Sequence, residues 1–184
     1  NSNSKAKVDQ CFAYTNVKYA IKYSGDNYGG GLIGKMEFVD ISNCYSMGTV
    51  VRNETSTLSD YTGGLVGYAA DTSTISYCYA VYDATTLIGK TNSNNTGGLV
   101  GGGNIIATVG IISSFHSYNA SGSGTNNYGQ LKPKDNLKTL TPYTSASPAW
   151  DIAIAVGPSE DKKTWLIESG TNDSFPYLRE NPPQ

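Results

Sequence analysis

The sequence predicts an all-β fold: a right-handed parallel β-solenoid of about four coils over residues 1–131, closed by a C-terminal capping segment over residues 132–184. Two landmarks, a glycine-rich string and a cysteine, recur together three times along the chain at a nearly constant period. Between them, short apolar runs alternate with Gly, Asn, Asp and Ser, which is typical of strands and turns. Because a unit this short cannot bury an apolar face alone, the copies are expected to stack.

The glycine-rich string has the pattern Gly-Gly-Leu-(Ile or Val)-Gly and occurs at 30–34, 63–67 and 97–101. In every copy the cysteine keeps the same separation from the first glycine of the string that follows it (11 to 30, 44 to 63, 78 to 97). We expect Leu32, Leu65 and Leu99 to form an inward stack, with glycines that permit a positive φ at a sharp corner.

Alignment of the copies places the cysteines in one column. Cys11, Cys44 and Cys78 replace one another, and we continue the column with Phe115, which predicts a buried apolar slot that holds reduced thiols. Cys44→Ser should then cost about 1–3 kcal/mol, because it places a hydroxyl in that slot. The alignment gives two further columns. The aliphatic column consists of Val8, Ile41, Ile75 and Ile112. The turn column, made of amides and acids, consists of Asn27, Asp60 and Asn94.

An aromatic column directly follows the cysteine column in the sequence. It comprises Phe12, Tyr45, Tyr79 and His116, and strand alternation directs it outward if the cysteines point inward. Exposed stacked aromatics bind sugars or proteins, so these four residues are the candidate binding site. In the alternative, the row stabilises the solenoid, at about 0.2–1 kcal/mol per pair, or packs under loops. Burial of the row discriminates between the two.

The fourth copy is longer than the others. Its step from Leu99 to Phe115 exceeds the corresponding steps from Leu32 to Cys44 and from Leu65 to Cys78. The extra length predicts a bulge or loop after Gly101.

The strings Gly-Gly-Leu-Val-Gly, Ile-Ser-Asn-Cys-Tyr-Ser at 41–46 and Ile-Ser-Tyr-Cys-Tyr-Ala at 75–80 resemble the GLUG motif. The resemblance covers about residues 8–131. GLUG repeats occur in large bacterial cell-surface and secreted proteins, including adhesin-like proteins. The resemblance therefore implies a β-solenoid at the bacterial surface, and it implies no catalytic residue.

Composition excludes several classes of function. A net charge of -2 offers no basic stripe for nucleic acid. No apolar run approaches the roughly 20 residues that span a membrane. Charged residues make up 15% of the chain, against about 25% in an ordinary domain. Together with 21 Gly and 14 Tyr, this favours an extracellular all-β protein.

Candidate catalytic groups are sparse. His116 is the one histidine, so a zinc motif with two histidines is excluded, and a Ser-His-Asp triad would have to use His116. Asp26, Asp60, Asp71 and Asp83 fall in predicted turns, and no two share a column, although a pair across columns stays open. We expect a non-enzyme without cofactor or metal, and leave calcium at the turns open.

The C-terminal segment carries aromatic residues that do not fit the repeat, among them Trp150, Trp165, Phe175 and Tyr177. We expect it to fold over the last coil near Phe115 and Leu131, and to protect an edge that invites aggregation. The N-terminal edge is expected to stay open, or to be covered by upstream repeats or another domain of a longer parent chain.

The function predicted from these observations is that of a repeat domain of a secreted bacterial surface protein. It acts in adhesion or in binding of a glycan or of a host or neighbouring surface protein. The first alternative is a structural spacer of a larger surface protein, and the second is a polysaccharide-active β-helix enzyme.

Overall fold

The computed structural model describes residues 4–19, 25–52, 60–70, 72–82, 95–105, 110–117, 128–156 and 162–183. The described chain is all-β, as predicted, and it also contains a few short helices. The first three repeat units contain four strands each, in the same order. They are β1 (Ala6–Asp9), β2 (Phe12–Tyr19), β3 (Asn27–Gly30) and β4 (Ile33–Met36); β5 (Val39–Ser42), β6 (Tyr45–Arg52), β7 (Asp60–Gly63) and β8 (Val66–Ala69); β9 (Thr74–Ser76), β10 (Tyr79–Val81), β11 (Thr96–Gly97) and β12 (Val100–Gly103).

The fourth unit and the C-terminal segment contain shorter elements. The fourth unit supplies β13 (Ile111–Ile112) and β14 (Phe115–His116), and β15 (Gln130–Leu131) follows. The C-terminal segment contains a 3-10 helix (Asn136–Lys138), α1 (Thr141–Thr144), β16 (Ile152–Ile154), β17 (Trp165–Ile167), a second 3-10 helix (Thr171–Ser174) and β18 (Tyr177–Leu178).

Equivalent strands of successive units pair in parallel. The four resulting sheets have the orders β1-β5-β9-β13, β2-β6-β10-β14-β15, β3-β7-β11 and β4-β8-β12. Ile41 pairs with Val8 in one unit and with Ile75 in the next, so the register follows the sequence period. The prediction that the repeats align in parallel sheets is confirmed. A fifth sheet, β16-β17-β18, belongs to the C-terminal segment.

The core lies between these sheets and is built from the predicted columns. Leu65, Leu99, Ile41 and Ile75 are fully buried. Their first-unit counterparts, Val8 and Leu32, are only partly buried and pack against the same cluster. The first unit is less buried because its strands lie at the edges of the four sheets.

The glycines of the string act differently from the prediction. None of them has a positive φ. They are needed because backbones approach closely: a Cβ on Gly31 would collide with the Gly64 carbonyl oxygen, and one on Gly64 would collide with that of Gly98. The string backbone also hydrogen-bonds from unit to unit, with Leu32 N 2.9 Å from Leu65 O. Steric room at a crowded crossing, not conformational freedom, selects glycine here.

The predicted alignment of the fourth unit is wrong by one position. Phe115 pairs with Tyr79, and His116 pairs with Ala80. Ile111, not Ile112, pairs with Ile75. Phe115 therefore continues the aromatic column, and Ser114 occupies the position of the cysteines. The alignment failed because it required an apolar residue at a position where hydrogen bonding is equally important.

The strand register shows where the extra residues of the fourth unit lie. Gly103 pairs with Ala69, and Ile111 pairs with Ile75. The chain from Gly103 to Ile111 is therefore longer than the equivalent stretch from Ala69 to Ile75, which locates the insertion between Gly103 and Ile111. Positions 106–109 lie outside the described part.

The C-terminal segment packs on a side of the stack as well as near its last unit. Its Trp150, Trp165 and Phe175 share a buried cluster with the outward aromatic residues of the repeats, Tyr45, Tyr79 and Phe115. The predicted contact with Phe115 is present, but Leu131 remains 47% exposed. The segment therefore reaches further back along the repeats than predicted, because the outward aromatic column offers it a continuous apolar surface.

Candidate functional site

The outward aromatic row consists of Phe12, Tyr45, Tyr79 and Phe115, one residue from each unit. The rings of Phe12 and Tyr45 stack at 5.0 Å with 6° between their planes, and those of Tyr45 and Tyr79 do the same. Parallel in-register strands impose this stacking, because they place equal positions directly above one another. The predicted row thus exists in the first three units.

The C-terminal segment covers this row from Tyr45 to Phe115, and Phe12 stays partly exposed. Tyr45 and Tyr79 have no exposed surface, and Phe115 is 1% exposed. Trp165 packs against both tyrosines with ring centroids 5.8 Å apart, and Trp150 stacks on Phe115 at 5.7 Å. The predicted outward direction is right, but the row faces the protein's own C-terminal segment, so its middle members do not meet a ligand in this structure.

His116 does not belong to the row. It is 8% exposed, and a Cβ placed on Gly98 would collide with its Nδ1. The imidazole therefore packs beneath the third glycine string, on the opposite face of its strand from Phe115. The expectation that His116 faces outward is wrong, because it rested on the shifted alignment.

Hydrogen bonds fasten the C-terminal segment to the repeats. The Tyr79 hydroxyl donates to Pro176 O, and Asn172 Nδ2 donates to that hydroxyl at 3.1 Å. Trp150 Nε1 donates to Ser113 O at 2.7 Å, and Trp165 Nε1 to Asn43 Oδ1 at 3.2 Å. Burial raises the pKa of Tyr79 well above its usual value. The interface between the C-terminal segment and the repeats is therefore buried and held by specific hydrogen bonds.

The thiol column forms a ladder of hydrogen bonds. The amides of Cys11 and Cys44 donate to the sulfur of the next cysteine, Cys44 Sγ and Cys78 Sγ, at 3.4 Å. The amide of Cys78 donates in the same way to Ser114 Oγ at 3.2 Å. All three cysteines are free, and Cys44 and Cys78 are fully buried. Cys11 is partly exposed, which corrects the expectation that all three are buried.

Each member of this column also donates back to its own chain, beginning with Cys11 Sγ, which lies 3.3 Å from Asp9 O. Cys44 Sγ lies 3.0 Å from Ser42 O, Cys78 Sγ 3.1 Å from Ser76 O, and Ser114 Oγ 2.8 Å from Ile112 O. Residues in this column therefore serve as hydrogen-bond donors and acceptors, although apolar side chains surround them. Desolvation raises the pKa of Cys78, so its thiol stays protonated and unreactive.

The turn column joins two units. Asn27 Nδ2 donates to Asp60 Oδ1 at 2.8 Å in a buried pair, in agreement with a structural turn ladder. The third member, Asn94, and the candidate acids Asp71 and Asp83 lie outside the described residues. Within the described part, no group of three or more His, Cys, Asp or Glu side chains could hold a metal ion.

A half-buried tyrosine cluster was missed by the sequence analysis. Tyr28 and Tyr61 stack at 5.5 Å, and Tyr68 meets Tyr61 edge-on at 4.9 Å. Lys35 Nζ lies 5.3 Å from the centre of the Tyr28 ring. Tyr28 and Tyr61 are one period apart in the sequence, a signal that could have revealed this second aromatic column. Its ring faces are occupied by its own members and by Lys35, which favours a stabilising role.

A groove lies where the first repeat meets the C-terminal segment, and we call it the seam groove. It consists of two adjoining cavities of about 510 and 520 Å³, both of which contact Tyr14 and Asp173. Tyr14 is 67% exposed. No periodic signal could reveal this groove, because one of its walls lies outside the repeat.

Among the described residues, no helix is long and apolar enough to cross a membrane.

Comparison with known proteins identifies the repeat. The family model for the GLUG motif matches residues 59–81, a span that runs from the second glycine string through Cys78 and Tyr79. The predicted resemblance to GLUG-motif repeats is confirmed. The motif indicates a repeat domain of the kind found in surface proteins. Comparisons with curated proteins and with solved structures gave no match.

Proposed function

We propose that this chain is a non-catalytic scaffold domain of a secreted bacterial surface protein, in which the repeats wind as a right-handed β-solenoid. The parallel pairing of equivalent strands in every unit supports the solenoid, since parallel crossovers are almost always right-handed. The GLUG motif supports the surface protein. The domain's partners are then the other domains of a longer chain.

The observation that favours a scaffold over an aromatic binding site is the burial of Tyr45 and Tyr79. A row that served a ligand would need ring faces or edges open to solvent. Here Trp165 packs on both tyrosines, and Asn172 hydrogen-bonds the hydroxyl of Tyr79. The row is used to fix the C-terminal segment on the repeats.

Chemical accessibility tests this proposal. Nitration of the native protein, followed by peptide mass spectrometry, should modify Tyr14 and leave Tyr45 and Tyr79 unmodified. After denaturation all three should react. Nitration of Tyr45 or Tyr79 in the native protein at the rate of Tyr14 would mean that the row is open, and would favour binding by the row.

The location and the absence of catalysis need separate tests. Antibody labelling of intact cells should detect the domain at the surface, and labelling only after permeabilisation would contradict a surface location. A panel of plant, bacterial and host polysaccharides should show no turnover. Turnover that is lost in Asp60→Asn would establish an enzyme instead.

A further inference from the structure

We propose that the seam groove binds a neutral oligosaccharide. Phe12, the first member of the aromatic row, lines one of its cavities, whereas the covered Tyr45 and Tyr79 line neither. Binding at this groove goes beyond the scaffold role. In the first cavity one wall is strand β2 of the first repeat, and the other is the segment from Gly170 to Asp173. The second cavity lies between β2, β6 and the C-terminal residues Lys134 and Asp173. Each cavity falls in the size range of about 300–1,000 Å³ that small ligands occupy in proteins, so the two together have room for more than one sugar unit.

Tyr14 is the aromatic element of this site. It shares a column with Met47, which pairs with it, and with Val81, which pairs with Met47. The C-terminal segment buries Met47 to 5% and Val81 to 3% exposure but leaves Tyr14 67% exposed. Tyr14 is therefore the one exposed member of this column, and its ring lies at the border of the two cavities. Such a ring offers the flat apolar surface on which a pyranose stacks.

Hydrogen-bond donors and acceptors both lie beside this ring. Thr49 Oγ1 donates to Asn16 Oδ1 at 2.8 Å, and both residues line the groove. The Asn16 amide nitrogen adds donor capacity to this polar pair. The exposed carboxylate of Asp173 lines both cavities and accepts hydrogen bonds. Sugar hydroxyls require this combination, because each donates and accepts.

The charge of the groove favours a neutral ligand. Lys134 and Asp173 both line the second cavity, so one ammonium and one carboxylate offset each other. An acidic glycan or a basic peptide would find one attractive and one repulsive group there. A neutral polyhydroxylated chain meets no such conflict.

The wall that carries Asp173 is held in a fixed conformation. Asn172, Asp173 and Ser174 have φ values of 51°, 53° and 67°, a left-handed run that costs free energy and requires support. Asn172 provides it, since its amide donates to Pro176 O at 2.9 Å and to the Tyr79 hydroxyl at 3.1 Å. A preformed wall loses less entropy when a ligand binds.

A glycan array followed by titration calorimetry tests the site with the intact chain. We expect binding of one or more neutral oligosaccharides, and a loss of affinity of about tenfold or more in Tyr14→Ala. Asp173→Asn should also weaken binding. Phe38→Ala removes a ring that is 56% exposed and lines neither cavity, and should bind like the unchanged protein. Thermal unfolding of each variant checks that it is folded.

Three results would overturn the proposal. The first is an array without any neutral glycan that binds. The second is unchanged affinity in the folded Tyr14→Ala protein. The third is binding that is restricted to sulfated or sialylated glycans, or to basic peptides, and that disappears at high salt. This result would assign the groove to a charged ligand.

Discussion

Tyr45 and Tyr79 stack ring on ring at 5.0 Å in neighbouring units, yet their hydroxyls differ in hydrogen bonding. The Tyr79 hydroxyl donates to Pro176 O and accepts from Asn172. The Tyr45 hydroxyl is buried and has no hydrogen-bond partner among the described residues. Desolvation raises the pKa of Tyr45 strongly, so the group stays neutral. Two equivalent positions of the repeat therefore differ because only one lies opposite a polar part of the C-terminal segment.

This difference predicts opposite effects of the same substitution. Tyr79→Phe should lower the free energy of unfolding by about 1–3 kcal/mol, because it removes two buried hydrogen bonds, one to Pro176 O and one from Asn172. Tyr45→Phe should be neutral or stabilising, since it removes an unpaired hydroxyl. Urea unfolding of the two variants measures both. Equal destabilisation by the two substitutions would show that the hydroxyls are equivalent after all.

The thiol ladder predicts that serine replaces cysteine with little loss. In Cys44→Ser the hydroxyl can accept from the Cys11 amide and donate to Ser42 O, as Ser114 does in the fourth unit. We now expect a cost below about 1 kcal/mol, less than the sequence alone suggested. Cys44→Ala removes both bonds and should cost more. If alanine proves as stable as serine, the hydrogen bonds of the column contribute nothing.

The glycine string predicts a steric effect. Gly64→Ala would drive a Cβ into Gly98 O and place it 2.9 Å from the Ala80 side chain, and backbone on this crowded path cannot shift easily. The cost should be at least about 1–3 kcal/mol. Gly34→Ala is the matched control, because its nearest contact is 3.1 Å away. Thermal unfolding should show the larger loss for Gly64, and the reverse order would contradict the steric explanation.

The hydrogen bonds of Asp151 predict that the folded protein loses stability in acid. Burial tends to raise its pKa, but hydrogen bonds from Lys163 and Thr164 outweigh burial and lower the pKa. A carboxylate with a lowered folded pKa stabilises the protein above its unfolded pKa of about 3.9. This stabilisation disappears as the pH falls through the folded pKa.

Chemical unfolding between about pH 6 and pH 2 measures this effect. The stability of Asp151→Asn should depend less on pH than that of the unchanged protein. Asp135→Asn changes an exposed aspartate of the same segment, outside this network, and serves as the control. A pH dependence in Asp151→Asn identical to that of the unchanged protein would rule out the contribution.

The fourth unit shows where sequence reasoning fell short within the repeat itself. Hydrophobicity favoured Phe115 in the cysteine column, and this choice displaced His116 into the aromatic row. The structure selects Ser114 because its hydroxyl accepts from the Cys78 amide and donates to Ile112 O. A search for residues able to do both would have found the register.

The sequence by itself determined the all-β repeat, its parallel pairing and the columns of the first three units. It could do so because in-register stacking places residues one period apart in contact, so that periodicity alone specifies these neighbours. Only the tertiary structure decided that the aromatic row is covered, that the string glycines serve close packing, and that a seam groove exists. These features depend on contacts between segments far apart in the chain, such as Trp165 with Asn43. No period relates such segments, and their packing depends on how side-chain shapes and hydrogen-bonding groups meet once both are folded.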